Sequence, residues 1–241
     1  MSGPDIADSP VLEGAQVRLP RGRHGLSREE VERSQRGRII FAMADVMAEK
    51  GYGATSVADV LRGAGVSRQT FYALFTSKED CFASAFDAAA QIVQQRVVER
   101  AVADGGADDP VPSGWTAGVA PATGPEVLAE RLDRLLGAFL DAVADEPAFA
   151  RLFLVEVYAA GPEALDRRIA SQERFAEIIA TLVGARDDDE RFLCEAVVAA
   201  ISTLVTTRAA QGDMDGVREL RAPLSRLVRR GMPLLIADDD A

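Results

Sequence analysis

Two short apolar-periodic segments between Thr55 and Glu79, joined by a tight turn at Gly65, constrain this chain more than anything else in it. In the first, Val57, Val60, Leu61 and Ala64 recur at the three- and four-residue spacing of one helix face. In the second, Phe71, Leu74 and Phe75 do the same. Thr55 and Ser56 precede the first segment and Ser67 the second, where a side-chain oxygen accepts a backbone N–H that the helix itself cannot pair. Asp59 stands three residues after Ser56, the spacing of a capping box. Gly65 breaks the first helix and Val66 plugs the turn. The pattern predicts two short helices at a steep angle over a shared core. Arg68, Gln69, Thr70, Tyr72 and Ala73 are left on the outside of the second.

The same reading extends along the chain. Residues 1–26 carry Pro, Gly, Asp and Arg without periodicity and read as a disordered arm. Ser27 to Lys50 reads as a helix with Ile39, Met43, Val46 and Met47 on one face, and Gly51 as its stop. Ser77 caps a long helix to about Ala103, with Glu79 and Asp80 in its first turn. A Gly, Pro and Ala rich loop follows over about 104–124, around the lone Trp115. Further helices are expected over 125–144, 146–159, 162–183, 187–211 and 217–230, the last split or kinked at Pro223. No alternating strand segment occurs. The fold class is all-α with about nine helices: an N-terminal three-helix domain over 27–76 and a helical domain over 77–241.

The net charge of −11 over 241 residues looks unsuited to a polyanion partner. Its distribution answers that objection. Residues 18–100 hold 13 Lys and Arg against 10 acids, and 18–38 alone hold seven arginines against three glutamates. The acid surplus lies beyond residue 100. A basic front on an acidic body suits binding a polyanion through one end; a solvated face gives the same bias. No unbroken run of about 18 apolar residues is found, so no membrane span is expected, and the acidic, proline-bearing N-terminus is no signal peptide. Cys81 and Cys194 are read as buried thiols in a reducing cytoplasm, the alternatives being a disulfide or a redox switch. No His or Cys partner stands at ligand spacing from His24, and no metal or other cofactor is expected.

Gly51-Tyr52, Thr55, Val57, Asp59, Val60, Ala64-Gly65-Val66-Ser67, Thr70-Phe71-Tyr72, Phe75 and Lys78-Glu79 together resemble the tetracycline-repressor (TetR) family of transcriptional regulators. The likeness is close over about residues 36–82; beyond them only length and helical pattern agree. It implies a helix-turn-helix whose second helix enters the major groove of double-stranded DNA. It implies that Arg68 and Gln69 read bases, that Tyr72 and Lys78 hold the backbone, and that Thr55 lies near phosphate. Ser67 and Thr70 complete the DNA-contacting set. For Arg68 and Gln69 the alternative is phosphate contact alone; for Tyr72 it is a ring packed in the small core. The arm with Arg18, Arg21, Arg23 and His24 reads equally as a minor-groove arm or a solubilising tail.

The resemblance also implies that residues 77–241 bind a small-molecule effector of unknown identity and form a homodimer on a palindromic operator. Leu193, Val197, Ala200, Ile201 and Leu204 form one apolar stripe, and Leu220, Leu224, Leu227 and Val228 another; they suit a bundle across a two-fold axis or packing within one subunit. Phe86, Phe139, Phe149, Phe153, Tyr158 and Phe175, with Glu156 or Arg174, are candidate effector contacts, or plain core. No catalytic signature is present, so the chain is read as a repressor and not an enzyme. Free of effector it would occupy a promoter, and effector binding would move the helix that begins at Ser77. The alternatives are a regulator of the same fold without a small-molecule ligand, and an activator or architectural DNA-binding protein.

Overall fold

A computed structural model of the chain describes residues 27–104 and 124–235. The arm expected over 1–26, nearly all of the loop expected about 104–124 and the C-terminal aspartates lie outside the described residues. Every regular element among the described residues is helical: α1 (Arg28–Ala54), α2 (Val57–Ala64), α3 (Arg68–Leu74), α4 (Lys78–Asp104), α5 (Pro125–Asp145), α6 (Pro147–Leu154), a single 3-10 turn (Glu156–Ala159), α7 (Pro162–Val183), α8 (Asp188–Ala210), α9 (Met214–Glu219) and α10 (Arg221–Leu235).

The helix starts follow from local side chains. Ser27 and Glu30 form a reciprocal capping box at α1, and Ser56 and Asp59 another at α2. Ser67 accepts from Thr70 N–H at 3.0 Å, Ser77 from Asp80 N–H at 3.1 Å, and Asp187 from Glu190 N–H at 2.8 Å. The last expected helix comes as two, parting at Leu220 rather than at Pro223. Pro223 is the third residue of α10, inside the first turn, where the missing N–H has no helical partner to lose.

Packing divides the chain into two compact units. One runs to Ile92 and takes in Ala148–Leu165; the other holds Val93–Pro147 and Asp166–Ala241. In the first, Ile39, Ile40, Met43, Met47, Phe71, Phe75 and Phe82 are among the largest fully buried side chains. A Phe buried in this way stabilises by about 1.5–3 kcal/mol. Phe149 of α6 meets Phe41 edge-on at 4.8 Å, and Phe153 stacks on Phe86 at 4.7 Å. Segment 148–165 is therefore part of the core beneath α1, although it stands about a hundred residues away in sequence.

In the second unit, Val93 and Val97 pack with Ala138 and Ala142 of α5, and Leu128 and Leu132 pack with Leu182 of α7. Arg221 lies against Gly137, where a Cβ would stand 2.6 Å from the guanidinium carbon, and donates to Asp133 at 2.9 Å. Among the described residues α8 alone is long and apolar enough, by length and composition, to cross a membrane; one such helix does not indicate a membrane protein, and the expectation of no span is not overturned. Glu195 and the Ser and Thr residues of α8 interrupt any unbroken apolar run, while its Ala, Val, Leu and Ile residues keep the mean hydropathy high. Only 17% of that apolar window is buried. Ala196, Val197, Ala200, Ile201 and Leu204 of α8 line an apolar groove with Leu224, Leu227 and Val228 of α10.

Candidate nucleic-acid interface

The three helices α1, α2 and α3 are set by their inward faces. Val60 and Ala64 of α2 are buried with Phe71 and Phe75, while Val57, Leu61 and Leu74 are half-buried. Gly63 lets α2 come close to α1: a Cβ there would lie 3.1 Å from Ala42 Cβ. Gly65 closes α2 in the left-handed conformation (φ 64°, ψ 38°), which a side chain would strain. What remains outward is the N-terminal end of α3. Ser67, Arg68, Gln69 and Ala73 are exposed, Thr70 is half-buried, and the Tyr72 ring is 50% exposed while meeting Phe71 edge-on at 5.3 Å. The Ser67 and Thr70 hydroxyls lie 2.9 Å apart and share one hydrogen bond.

Thr55 and Lys78 sit differently from these. Thr55 is 3% exposed, and its hydroxyl donates to Gly51 O at 2.7 Å. It closes the end of α1 and does not cap α2, which Ser56 does. Lys78 is half-buried; its ammonium donates to Tyr52 O at 3.1 Å and Thr55 O at 3.2 Å and lies 3.9 Å from the centre of the Tyr52 ring. Burial and the neighbouring Glu79 carboxylate push the Tyr52 phenol up to about 12.

Lys78 is one of three cations that close the three helices. Arg38 donates to Ala64 O at the end of α2, at 3.2 Å. Arg36 donates to Leu74 O at the end of α3 at 3.2 Å, reaches Ser84 Oγ at 2.9 Å, and stacks its guanidinium 4.6 Å from the Phe75 ring centre. A cation at a helix C-terminus pairs carbonyls that have no helical partner and complements the helix dipole. In the sequence these two arginines were simply part of the basic run 18–38. No local pattern could assign them, since their partners lie 26 to 48 residues away. At the opposite pole of α2, Lys50 meets Asp59 at 2.8 Å. Hydrogen bonds from Lys50 and Ser56 hold the Asp59 carboxyl well below the usual carboxylate range.

The candidate effector contacts divide between the units. Phe86, Phe149 and Phe153 are buried core of the first, and Tyr158 is 61% exposed. Phe139 and Phe175 meet edge-on at 5.9 Å in the second. Glu156 is 7% exposed, and its carboxylate accepts from Tyr52 N–H at 2.8 Å and from Arg151 Nε at 3.1 Å. The thiols of Cys81 and Cys194 are free and buried, and burial pushes Cys81 up to about 12.

Residues 39–85 match the family described as bacterial regulatory proteins, tetR family. Over 230 residues the chain is 28% identical to the HTH-type transcriptional regulator EthR of Mycolicibacterium smegmatis, covering 95% of this chain and 86% of that one. Among solved structures it is similar to a TetR-like transcriptional regulator of Rhodococcus sp. RHA1 (TM-score 0.59, 18% identity, 89% of this chain and all of that one). It is also similar to the fatty acid degradation regulator FadR of Bacillus halodurans (TM-score 0.62, 19% identity, 82% of this chain and 95% of that one). The helix-turn-helix of α2 and α3, the helical elements of the described residues and these likenesses agree: residues 39–85 match the tetR family of bacterial regulatory proteins as a helix-turn-helix DNA-binding domain, and the chain as a whole is similar to bacterial transcriptional regulators.

Proposed function

We propose that the chain is a homodimeric, effector-responsive repressor that binds a palindromic operator through α3. The observation that carries the reading is the exposed N-terminal end of α3 standing on an inward face of Phe71 and Phe75. A short helix presented in this way fits the major groove, where Arg pairs with guanine and Gln with adenine. Arg68 and Gln69 read bases. Ser67, Thr70 and Tyr72 meet the backbone beside them. Lys78 offers phosphate the N–H that its two carbonyl partners leave over. Thr55 acts from beneath, by closing the helix end to which Lys78 is bound. In this reading 27–76 is the DNA-binding domain and 77–241 the effector and dimer domain.

The half-exposed groove of α8 and α10 supports the dimer. Leu204 is 45% and Leu227 58% exposed, an apolar surface suited to a second copy across a two-fold axis. Two copies would place their α3 helices about 34 Å apart, one turn of DNA. Effector binding in the second unit would act through α4, a single helix that starts at Lys78 and continues past Val93 into that unit. The protein works in the cytoplasm, on the chromosome, and no catalytic step is assigned to it. The test is retention of genomic DNA fragments by the purified protein, followed by a screen for compounds that release them. Long-chain acyl-CoA esters belong in that screen, since the structurally similar FadR of Bacillus subtilis is in complex with stearoyl-CoA. Retention of fragments without a shared inverted repeat would overturn the operator reading, and a protein that no compound releases would favour the form of the family without a small-molecule ligand.

A further inference from the structure

α1 does not end where its hydrogen-bond ladder first fails. Gly51 takes φ 77° and ψ 163°, a conformation open essentially to glycine alone, and a further turn over 52–54 follows it. The break deprives Tyr52 N–H of a helical acceptor, and Tyr52 is 7% exposed. A buried N–H is seldom left unpaired. Its acceptor is the Glu156 carboxylate, at 2.8 Å. Glu156 also fills the space beside Gly51: a Cβ there would stand 3.2 Å from its Oε2.

From these contacts we infer that Glu156 is a positioning residue for DNA binding, clasping the Gly51–Tyr52 break from the 3-10 turn between α6 and α7. The inference rests on the DNA-binding reading of α3. Tyr52 is the hub of the junction. Its N–H is held by Glu156, its carbonyl and ring hold Lys78 at the start of α4, and its hydroxyl donates to Glu79 at 3.2 Å. Whatever fixes the Tyr52 backbone therefore fixes the point where α3 passes into α4. The segment that supplies Glu156 packs in the DNA-binding unit, yet both its ends run into the other unit, at Pro147 and Asp166. The chain thus enters the DNA-binding unit a second time, beside α4, and reaches the helix-turn-helix there through the Glu156 hydrogen bond. The charge partner of Glu156 is Arg151, on the same segment at 3.1 Å, so the buried carboxylate that accepts from Tyr52 N–H carries its counter-charge with it.

The test combines amide exchange in the DNA-free full chain with operator affinity. Glu156→Ala should speed exchange of amides within 51–56 and 76–81 selectively. It should weaken binding to a fragment retained by the wild type about tenfold, within the ordinary range of coupling between sites. The salt slope should not change, because no phosphate contact is removed. Glu156→Asp, which draws the carboxylate back but keeps its charge, should act in the same direction. Glu156→Gln keeps an oxygen for Tyr52 N–H and should retain most of the affinity. A residue that merely stabilised the fold would lower the unfolding midpoint and leave the affinity of the folded protein intact; that result overturns the inference, as does exchange that is uniform along the chain or unchanged at both junctions. Selective exchange at the junctions in a protein that binds no fragment would uphold the clasp and count against the operator reading instead.

Discussion

Lys78→Met keeps the aliphatic stem of Lys78 and removes its charge. The ammonium makes two hydrogen bonds, to Tyr52 O and Thr55 O, and lies over the Tyr52 ring. Fully buried, a hydrogen bond to a charged group contributes about 1.5–3 kcal/mol. Lys78 is half-buried and both carbonyls would regain water, so about 1 kcal/mol for each bond is the appropriate figure. The ring contact adds about 0.5–1 kcal/mol. The sum of about 2–3 kcal/mol should lower the unfolding midpoint by about 4–12 °C for a chain of this size. Calorimetry or thermal unfolding followed by circular dichroism reads this directly. Titration of a labelled operator across a salt series reads the second role: the slope of log affinity against log salt should fall by about one if Lys78 also meets a phosphate. A midpoint within about 1 °C of the wild type would refute the helix-closing role derived from these contacts. A lower midpoint with an unchanged slope would remove Lys78 from the DNA contacts.

Three further outcomes follow from the same structure. Glutamate at Val197 or Leu204 places a charge in the groove of α8 and α10 and should convert a dimer to a monomer in sedimentation; an unchanged dimer would reject that face. Asp59→Asn removes a carboxylate whose affinity for protons is depressed in the folded state by Lys50 and Ser56. Its stabilisation is fully present above the ordinary value of 3.8 and fades as pH falls below it. Urea unfolding should therefore separate wild type from variant at pH 7 and less so at pH 3. Cys81 and Cys194 should react with iodoacetamide only as fast as the protein opens, since both thiols are buried and burial raises both above their ordinary range; labelling of the folded chain at the rate of a free thiol would contradict that burial.

Much of the fold was legible because helix starts are local. Ser27, Ser56, Ser67, Ser77 and Asp187 each stand where a side chain meets an N–H three residues on, and sequence shows that spacing directly. Inward faces were equally plain: Phe71 and Phe75 repeat at helical spacing and are both buried. The helix ends were legible only in part: Gly65 marks the end of α2 in sequence and structure alike, but the side chains that pair the last carbonyls come from elsewhere. Arg36 and Arg38 read as surplus charge until Leu74 O and Ala64 O are placed beside them. Glu156 read as a possible ligand anchor, and its partner is a backbone N–H 104 residues earlier. The apolar stripe of α8 was legible from its helical spacing, whereas the parting at Leu220 was hidden by attention to Pro223.

Base reading by α3 through Arg68 and Gln69, as proposed, is tested most directly by measuring the affinity of wild type, Arg68→Ala and Gln69→Ala for an operator and for its full set of single-base variants. Each substitution should flatten discrimination at particular base pairs, by about 1–3 kcal/mol, while other positions keep their rank. Variants that bind every sequence with the wild-type rank order would contradict it.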